Sequence, residues 1–210
     1  GTSPDASSNL TVDFAFYQPV SISGNVYNDI NGPTDVDGVG IGMPGGVQLF
    51  ALLVNGSGTV VGIAPVNPNG SFDFQDVLAN QTYGVIISTN FTTVGSPAPA
   101  IALPAGWVTV AEDCCDNSGN DGSANGSTTV VVGLIDVVNV NFGIFEPLSL
   151  GNAVWNDINK NGLKDAGEPG IPNSLVSLYN DANNDGVPDG AAISTVLTDA
   201  NGLFVFNGLN

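Results

Sequence analysis

The sequence contains no histidine and no arginine, and its 210 residues include only two lysines, Lys160 and Lys164. Each absence excludes a class of function. Without imidazole there is no Ser-His-Asp or Cys-His catalytic unit and no imidazole-held zinc or haem. With two cations against 20 carboxylates, a formal net charge of −18, nothing neutralises nucleic-acid phosphates, and an anionic membrane surface repels the chain. No apolar run is long enough to insert into a bilayer as a helix. The opening residues Gly1-Thr2-Ser3-Pro4-Asp5 have neither a basic nor an apolar signal region, so any signal peptide is expected to be removed or to lie upstream. Cysteine is limited to the adjacent pair Cys114 and Cys115, which cannot staple distant elements. A vicinal disulfide, a cross-link to another chain and two thiols without a role all stay open. Divalent cations are the partners that this charge balance favours.

What the chain does have is apolar content, 42% of residues, together with 28 glycines and 13 prolines. That is too hydrophobic for a disordered acidic tail. It also repeats itself. Phe14-Ala15-Phe16-Tyr17-Gln18-Pro19-Val20-Ser21-Ile22 returns 128 positions later as Phe142-Gly143-Ile144-Phe145-Glu146-Pro147-Leu148-Ser149-Leu150. Val26-Tyr27-Asn28-Asp29-Ile30 answers Val154-Trp155-Asn156-Asp157-Ile158 at the same offset, and Asn69-Gly70-Ser71-Phe72-Asp73-Phe74 answers Asn201-Gly202-Leu203-Phe204-Val205-Phe206 at 132. Two copies of one module are therefore present, over 20–147 and 148–210, the second lacking counterparts of roughly 80–147. Residues 1–19 correspond to the final strand of a preceding or neighbouring-chain module.

Each copy reads as β. Runs such as Val47 to Leu52, Thr82 to Ser88 and Thr128 to Val132 are β-branched and aromatic, with Asn-Gly and Asp-Gly turns between them. No window shows helical periodicity with caps, so an all-β chain of tandem antiparallel sandwich modules with little or no helix is expected.

The chemistry lies in the loops. Residues 157–168 fit D-x-[DN]-x-[DN]-G-x₅-E at every specified position. Asp157, Asn159 and Asn161 supply oxygens at positions 1, 3 and 5, Gly162 permits the turn, and Leu163 offers its carbonyl. Asp165 stands at position 9, and Glu168 at 12 can bind through both oxygens. Ca²⁺ takes six to eight hard oxygens in flexible geometry, and this spacing wraps them round one point. A second loop repeats the pattern with Asp181, Asn183, Asp185, Gly186, Val187 and Asp189, but position 12 is Ala192 and its carboxylate has to come from elsewhere. In the first copy Asp29, Asn31, Asp35 and Asp37 keep the oxygens while Gly32-Pro33 break the register. There, calcium and a plain acidic turn are equally good readings. The acidic stretch Glu112 to Gly122 has no metal spacing and is expected to be a solvated turn.

The string Leu150 to Asp157, the loop to Glu168, Pro169-Gly170-Ile171-Pro172, and Thr198-Asp199-Ala200-Asn201-Gly202-Leu203-Phe204-Val205-Phe206 closely resemble the B-type repeat of serine-aspartate-repeat surface proteins (SdrD B-like), related to the collagen-adhesin B-type (Cna-B-like) domains. The resemblance covers 148–210 well, and 1–147 look like a divergent relative. It implies a calcium-rigidified, Ig-like β-sandwich used in tandem as a stalk on the outside of bacteria. It also implies, in pilus members, an isopeptide bond from a strand lysine. Lys160 and Lys164 both lie inside the calcium loop, so no such staple is expected and calcium has to do that stabilising.

The function expected is that of an extracellular, cell-surface structural protein, a stalk, spacer or filament subunit, and not an enzyme. Its partner is itself, in a tandem array or head to tail by strand complementation. The alternative is an adhesin or carbohydrate-binding module that meets surface glycans or a host protein through an exposed aromatic such as Trp107. Trp155, matched by Tyr27 in the first copy, is expected to pack in a core or loop. Six N-x-[ST] sequons, at Asn9, Asn55, Asn69, Asn80, Asn90 and Asn125, are a modest excess over chance and mark glycosylation sites only if the producing organism modifies secreted proteins.

Overall fold

The computed structural model describes residues 17–32, 34–115 and 122–209. It divides into two compact units, one ending at Phe145 and one beginning at Glu146. Among the described residues the only helical element is a three-residue 3₁₀ turn at Pro44–Gly46, and no helix is long and apolar enough to cross a membrane. Of the expected N-terminal strand 1–19, residues 1–16 lie outside the described residues.

In unit 1 the strands are β1 (Pro19–Asn28), β2 (Val39–Gly40), β3 (Phe50–Val54), β4 (Val60–Pro65), β5 (Ser71–Leu78), β6 (Gln81–Ser88), β7 (Val108–Cys114), β8 (Ser127–Val132) and β9 (Val137–Phe145). One sheet runs β2-β1-β9-β7 with β5 also paired to β1; the other runs β4-β3-β6-β8. Period-2 alternation puts Val20, Ile22 and Val26 of β1 on the inner face, where they meet Phe72 and Phe74 of β5 and Phe142 and Ile144 of β9. The second sheet covers them with Ala51, Leu53, Val85, Ile87, Val130 and Val132. Val77 is three residues beyond Phe74, out of step with that alternation. An extra residue in β5 restores it: the register with β1 shifts between Val20 and Ile22, and Asp76 takes a φ of 56°.

The sandwich departs from the expected antiparallel pattern at one pair. β1 and β9, the first and last strands of the module, run parallel. Where that register shifts, Gly24 passes so close to β9 that a Cβ on it would stand 1.7 Å from the Val140 carbonyl oxygen. Only glycine fits such an approach. Cys114 and Cys115 form a vicinal disulfide at the end of β7.

Unit 2 comprises β10 (Leu148–Ala153) paired with β13 (Leu203–Leu209), and β11 (Leu175–Asn180) paired with β12 (Asp189–Leu197), all antiparallel. Phe206 is its one fully buried apolar side chain among the described residues. Leu150, the counterpart of the wholly buried Ile22, is 51% exposed, and Leu148, Leu175, Leu203 and Val205 are exposed with it.

The two units share the frame that carries their acidic loops. Val26 donates from its amide to the Gly70 carbonyl and accepts from the Ile41 amide; Val154 does the same with Gly202 and Ile171. A Cβ on Gly40 would meet the Asn69 carbonyl oxygen at 1.9 Å, and one on Gly170 the Asn201 oxygen at 1.8 Å. The loop in each unit thus leaves and rejoins the sheet at the same two places. Between them unit 1 has two residues fewer, and Gly38 stands where unit 2 has Glu168.

Candidate metal centre

In unit 2 the 157–168 loop is folded round its own oxygens. Asp157 accepts from the amides of Asn161 (3.2 Å) and Gly162 (2.8 Å). Asn159 Oδ1 accepts from Asn161 N at 3.0 Å, and Asn161 Oδ1 from Leu163 N at 2.7 Å. Both asparagine amides donate to Asp165 Oδ2 at 2.7 Å, and these donors hold the Asp165 carboxyl below its ordinary value. Glu168, nearly buried, closes the loop by accepting from Ile158 N (2.9 Å) and Asp165 N (3.0 Å). Lys160 and Gly162 both adopt left-handed φ, 61° and 77°, which turns the chain back on itself. The Leu163 side chain is exposed, and its amide donates to Asn161 Oδ1.

The 181–189 loop has the same wiring. Asp181 accepts from Asp185 N (3.1 Å) and Gly186 N (3.0 Å), Asn183 Oδ1 from Asp185 N, and Asp185 Oδ1 from Val187 N. One exchange accounts for the missing carboxylate at Ala192. The amide after the first aspartate goes to Glu168 in the first loop, whereas here the Ala182 amide goes to Asp189 Oδ2 at 3.0 Å. Asp189 at position 9 does the closing that Glu168 does at position 12.

The 29–38 loop is wired differently. Asn31, Asp35 and Asp37 are exposed, and Thr34 Oγ1 donates to Asp35 at 3.3 Å. Asp29, by contrast, is 1% exposed, and neither of its carboxylate oxygens has a hydrogen-bond partner; nor does the buried Asn28 Oδ1. Burial pushes the Asp29 carboxyl up, and the charges of Asp37 and Asp35 add to it. The Asn31 and Gly32 amides pull it down without reaching hydrogen-bond geometry. Among the described residues no three His, Cys, Asp or Glu side chains gather about one point. An ion in any of these loops therefore depends on amide and backbone oxygens and on carboxylates drawing in.

Three residues, Glu112, Asp113 and Trp107, differ from their sequence reading. Glu112 is not in a solvated turn but wholly buried, accepting from the amides of Asn125 and Gly126 before β8. Asp113 is buried beside it. Residues 116–121 of that stretch lie outside the described residues. Trp107 is half-buried and packs on the unit 1 core, leaving little ring face for a ligand. Trp155 is half-buried too, with its Nε1 buried and unpartnered.

Residues 148–210 match the family model of the SdrD B-like domain. The chain is 31% identical to serine-aspartate repeat-containing protein F of Staphylococcus epidermidis, over 96% of its own length and 11% of that protein's. It is likewise 31% identical to serine-aspartate repeat-containing protein D of Staphylococcus aureus strain Newman, over 96% of its length and 14% of the relative's. The shaft pilin SpaA of Lactobacillus rhamnosus GG aligns over 92% of the chain and 83% of its own, at 10% identity and a TM-score of 0.32, too low to speak for a shared fold. The chain thus spans a small part of the curated relatives it matches, and the likeness to the SdrD B-like domain lies in its residues 148–210.

Proposed function

We propose that this chain is a stretch of an extracellular stalk, in which sandwich modules in tandem act as a spacer and calcium stiffens the SdrD B-like one. The observation that carries this reading is the 157–168 loop. Its Asp157, Asn159, Asn161, Asp165 and Glu168 side chains are tied to the loop by its own hydrogen bonds, so that a small inward movement of the carboxylates would bring them to one ion. Asp181, Asn183, Asp185, Asp189 and the Val187 carbonyl would hold a second ion in the same manner. A bound Ca²⁺ supplies positive charge and a multidentate cross-link between residues that otherwise repel. The chain's part is to preset the turn through Gly162 and Gly186 and to close it through Glu168 and Asp189. Nothing in this reading calls for catalysis, and the half-buried Trp107 favours a spacer over a glycan-binding face.

Replacing Glu168 by Gln removes the closing carboxylate and keeps its shape. Calcium affinity of that loop is expected to fall by more than the roughly 10–100-fold that outer-sphere partners command. A calcium titration of the full chain followed calorimetrically reads the change, and an unaltered isotherm contradicts the assignment.

Assembly belongs to the same reading. β10 pairs with β13 alone among the described residues, and Leu148 and Leu150 on it are exposed. In unit 1 the corresponding edge is taken by β9, whose sequence pattern recurs at 9–17. A strand of that pattern from a second copy fits the β10 edge. Asn152 stands where unit 1 has Gly24, so the pairing needs its bulge elsewhere. Sedimentation over a concentration series checks this: growing oligomers are expected, and a monomer at every concentration removes assembly from the account.

A further inference from the structure

We propose that the outer face of the second sheet of unit 1, β4-β3-β6-β8, is a contact surface on which two copies of this chain meet face to face. It goes beyond the stalk reading and does not depend on calcium. The starting point is where charge is missing. Residues 38–72, 77–111 and 122–135 contain no Asp, Glu, Lys or Arg, and they supply every residue of β3, β4, β6 and β8. The described carboxylates of unit 1 lie on β5 and β7 of the other sheet or in the loops that follow β1 and β8. On a chain of net charge −18, one whole sheet is neutral.

Alternation turns Ala51, Leu53, Val85, Ile87, Val130 and Val132 into the core, so their neighbours in sequence point outward. Leu52 and Ile86 point outward and are buried all the same. Residues 89–102, between β6 and β7, are bonded across that face. At one end Ser88 Oγ donates to the Ala100 carbonyl (3.2 Å) and the Thr89 amide to that of Ala102 (2.8 Å). At the other, the Val60 amide donates to the Ser96 carbonyl and the Ala98 amide to that of Gly58, both at 2.9 Å. A bridge between Thr59 and Pro97 adjoins these bonds. The side left to water is apolar again. Phe91, its ring centroid 5.2 Å from that of Phe50, is 65% exposed, and Val94 is exposed with it. Val61 and Val131, outward on the two flanking strands, are 40% and 73% exposed.

Single exposed apolar side chains are ordinary, but several on a face without charge have the composition of an interface core. Charge also decides the occupant. Two chains at −18 repel each other, and contact through a carboxylate-bearing side adds desolvated like charges to that repulsion. Two copies of this face add none. A charged partner finds nothing here to pair with. A two-fold axis makes the contact isologous and closes it at two chains. Four strands about 4.8 Å apart and about six residues long span roughly 400 Å², half of what each partner of a standard interface buries. One pair of chains therefore holds weakly, and tandem modules would add such contacts up between neighbouring stalks.

The test is sedimentation of the full chain carrying Leu148→Asp, which weakens the β10 edge and with it head-to-tail growth. Concentration series in calcium are run at about 0.01 M and about 1 M salt, between which the Debye length falls from about 30 to about 3 Å. Association is expected to stop at two chains, with Kd lower by about tenfold or more at high salt. Phe91→Asp and Val131→Asp, both at exposed positions, put carboxylates into the contact. Each is expected to raise Kd by about tenfold or more while the Tm of unit 1 stays within a few degrees. A monomer at every concentration and salt overturns the proposal. So does a dimer that salt weakens, or one that both variants leave unchanged. Soluble dextran, a neutral polysaccharide, probes the other occupant that a neutral face admits. Dextran binding that Phe91→Asp abolishes, in a chain that stays monomeric, assigns the face to a glycan and overturns the self-contact.

Discussion

In chelator, residues 146–210 are expected to lose their fold at a temperature at which unit 1 keeps its own. The expectation follows from how little else holds unit 2. Phe206 is its one fully buried apolar side chain, whereas unit 1 buries a continuous core from Val20 to Ile144. Eight carboxylates (Glu146, Asp157, Asp165, Glu168, Asp181, Asp185, Asp189, Asp199) stand against only two cations, Lys160 and Lys164. A ligand that binds the folded state alone stabilises by RT ln(1 + [L]/Kd), about 2.7 kcal/mol at a hundredfold excess over Kd. Two such loops give about 5 kcal/mol, the lower end of the stability of an ordinary domain. For a unit of this size each kcal/mol moves Tm by roughly 4–8 °C, so chelation is expected to lower it by about 20 °C or more. Scanning calorimetry in calcium and in EGTA measures the shift, and hydrogen exchange assigns it to 146–210. A shift confined to unit 1 contradicts the account.

Phe142→Ala is expected to have a comparable effect on the other unit. Phe142 is 1% exposed, pairs in register with Val26 within the core, and its ring centroid is 6.2 Å from that of Phe72. Truncation of a buried phenylalanine removes its transfer energy and leaves a cavity, together about 3–5 kcal/mol. The parallel pairing of β9 with β1 leaves the site little room to collapse, because Gly24 already brings the two backbones together. Unit 1 should melt roughly 10–20 °C lower. The calcium response of unit 2 should not change. A loss below about 1 kcal/mol would contradict the packing of β9 between β1 and β7 over this core.

What could be read from the sequence was what depends on neighbours in the chain. The strands over 82–88 and 128–132, the Asn-Gly turns and the 128-residue repeat are local patterns that the structure keeps, whereas the strand read from Val47 begins only at Phe50. What could not be read depends on partners brought from afar. Glu112 is buried because the Asn125 and Gly126 amides come back to it across a long loop, and an acidic stretch without spacing gives no sign of that. Asp29 looks like one more turn aspartate until β9 lays Gly143 and Ile144 beside it; its amide donates to the Ile144 carbonyl at 2.9 Å. The signal available was the two-residue deletion that sets Gly38 opposite Glu168. Asp189 was legible as a position-9 oxygen, but its takeover of the closing role needed the Ala182 amide to be seen. The parallel β1–β9 pair was hidden too, since alternation fixes which face a strand buries and says nothing of its direction.

The claim that organises all of this is that calcium is a structural part of the chain. Calorimetric titration of the chelator-stripped full chain with calcium tests it most directly, repeated on a variant carrying Glu168→Gln and Asp181→Asn. The account predicts saturable binding of at least two ions at calcium concentrations up to about the millimolar range typical of extracellular modules, and loss of two in the variant. A chain that takes up no calcium there, or a variant that binds as the parent does, contradicts it.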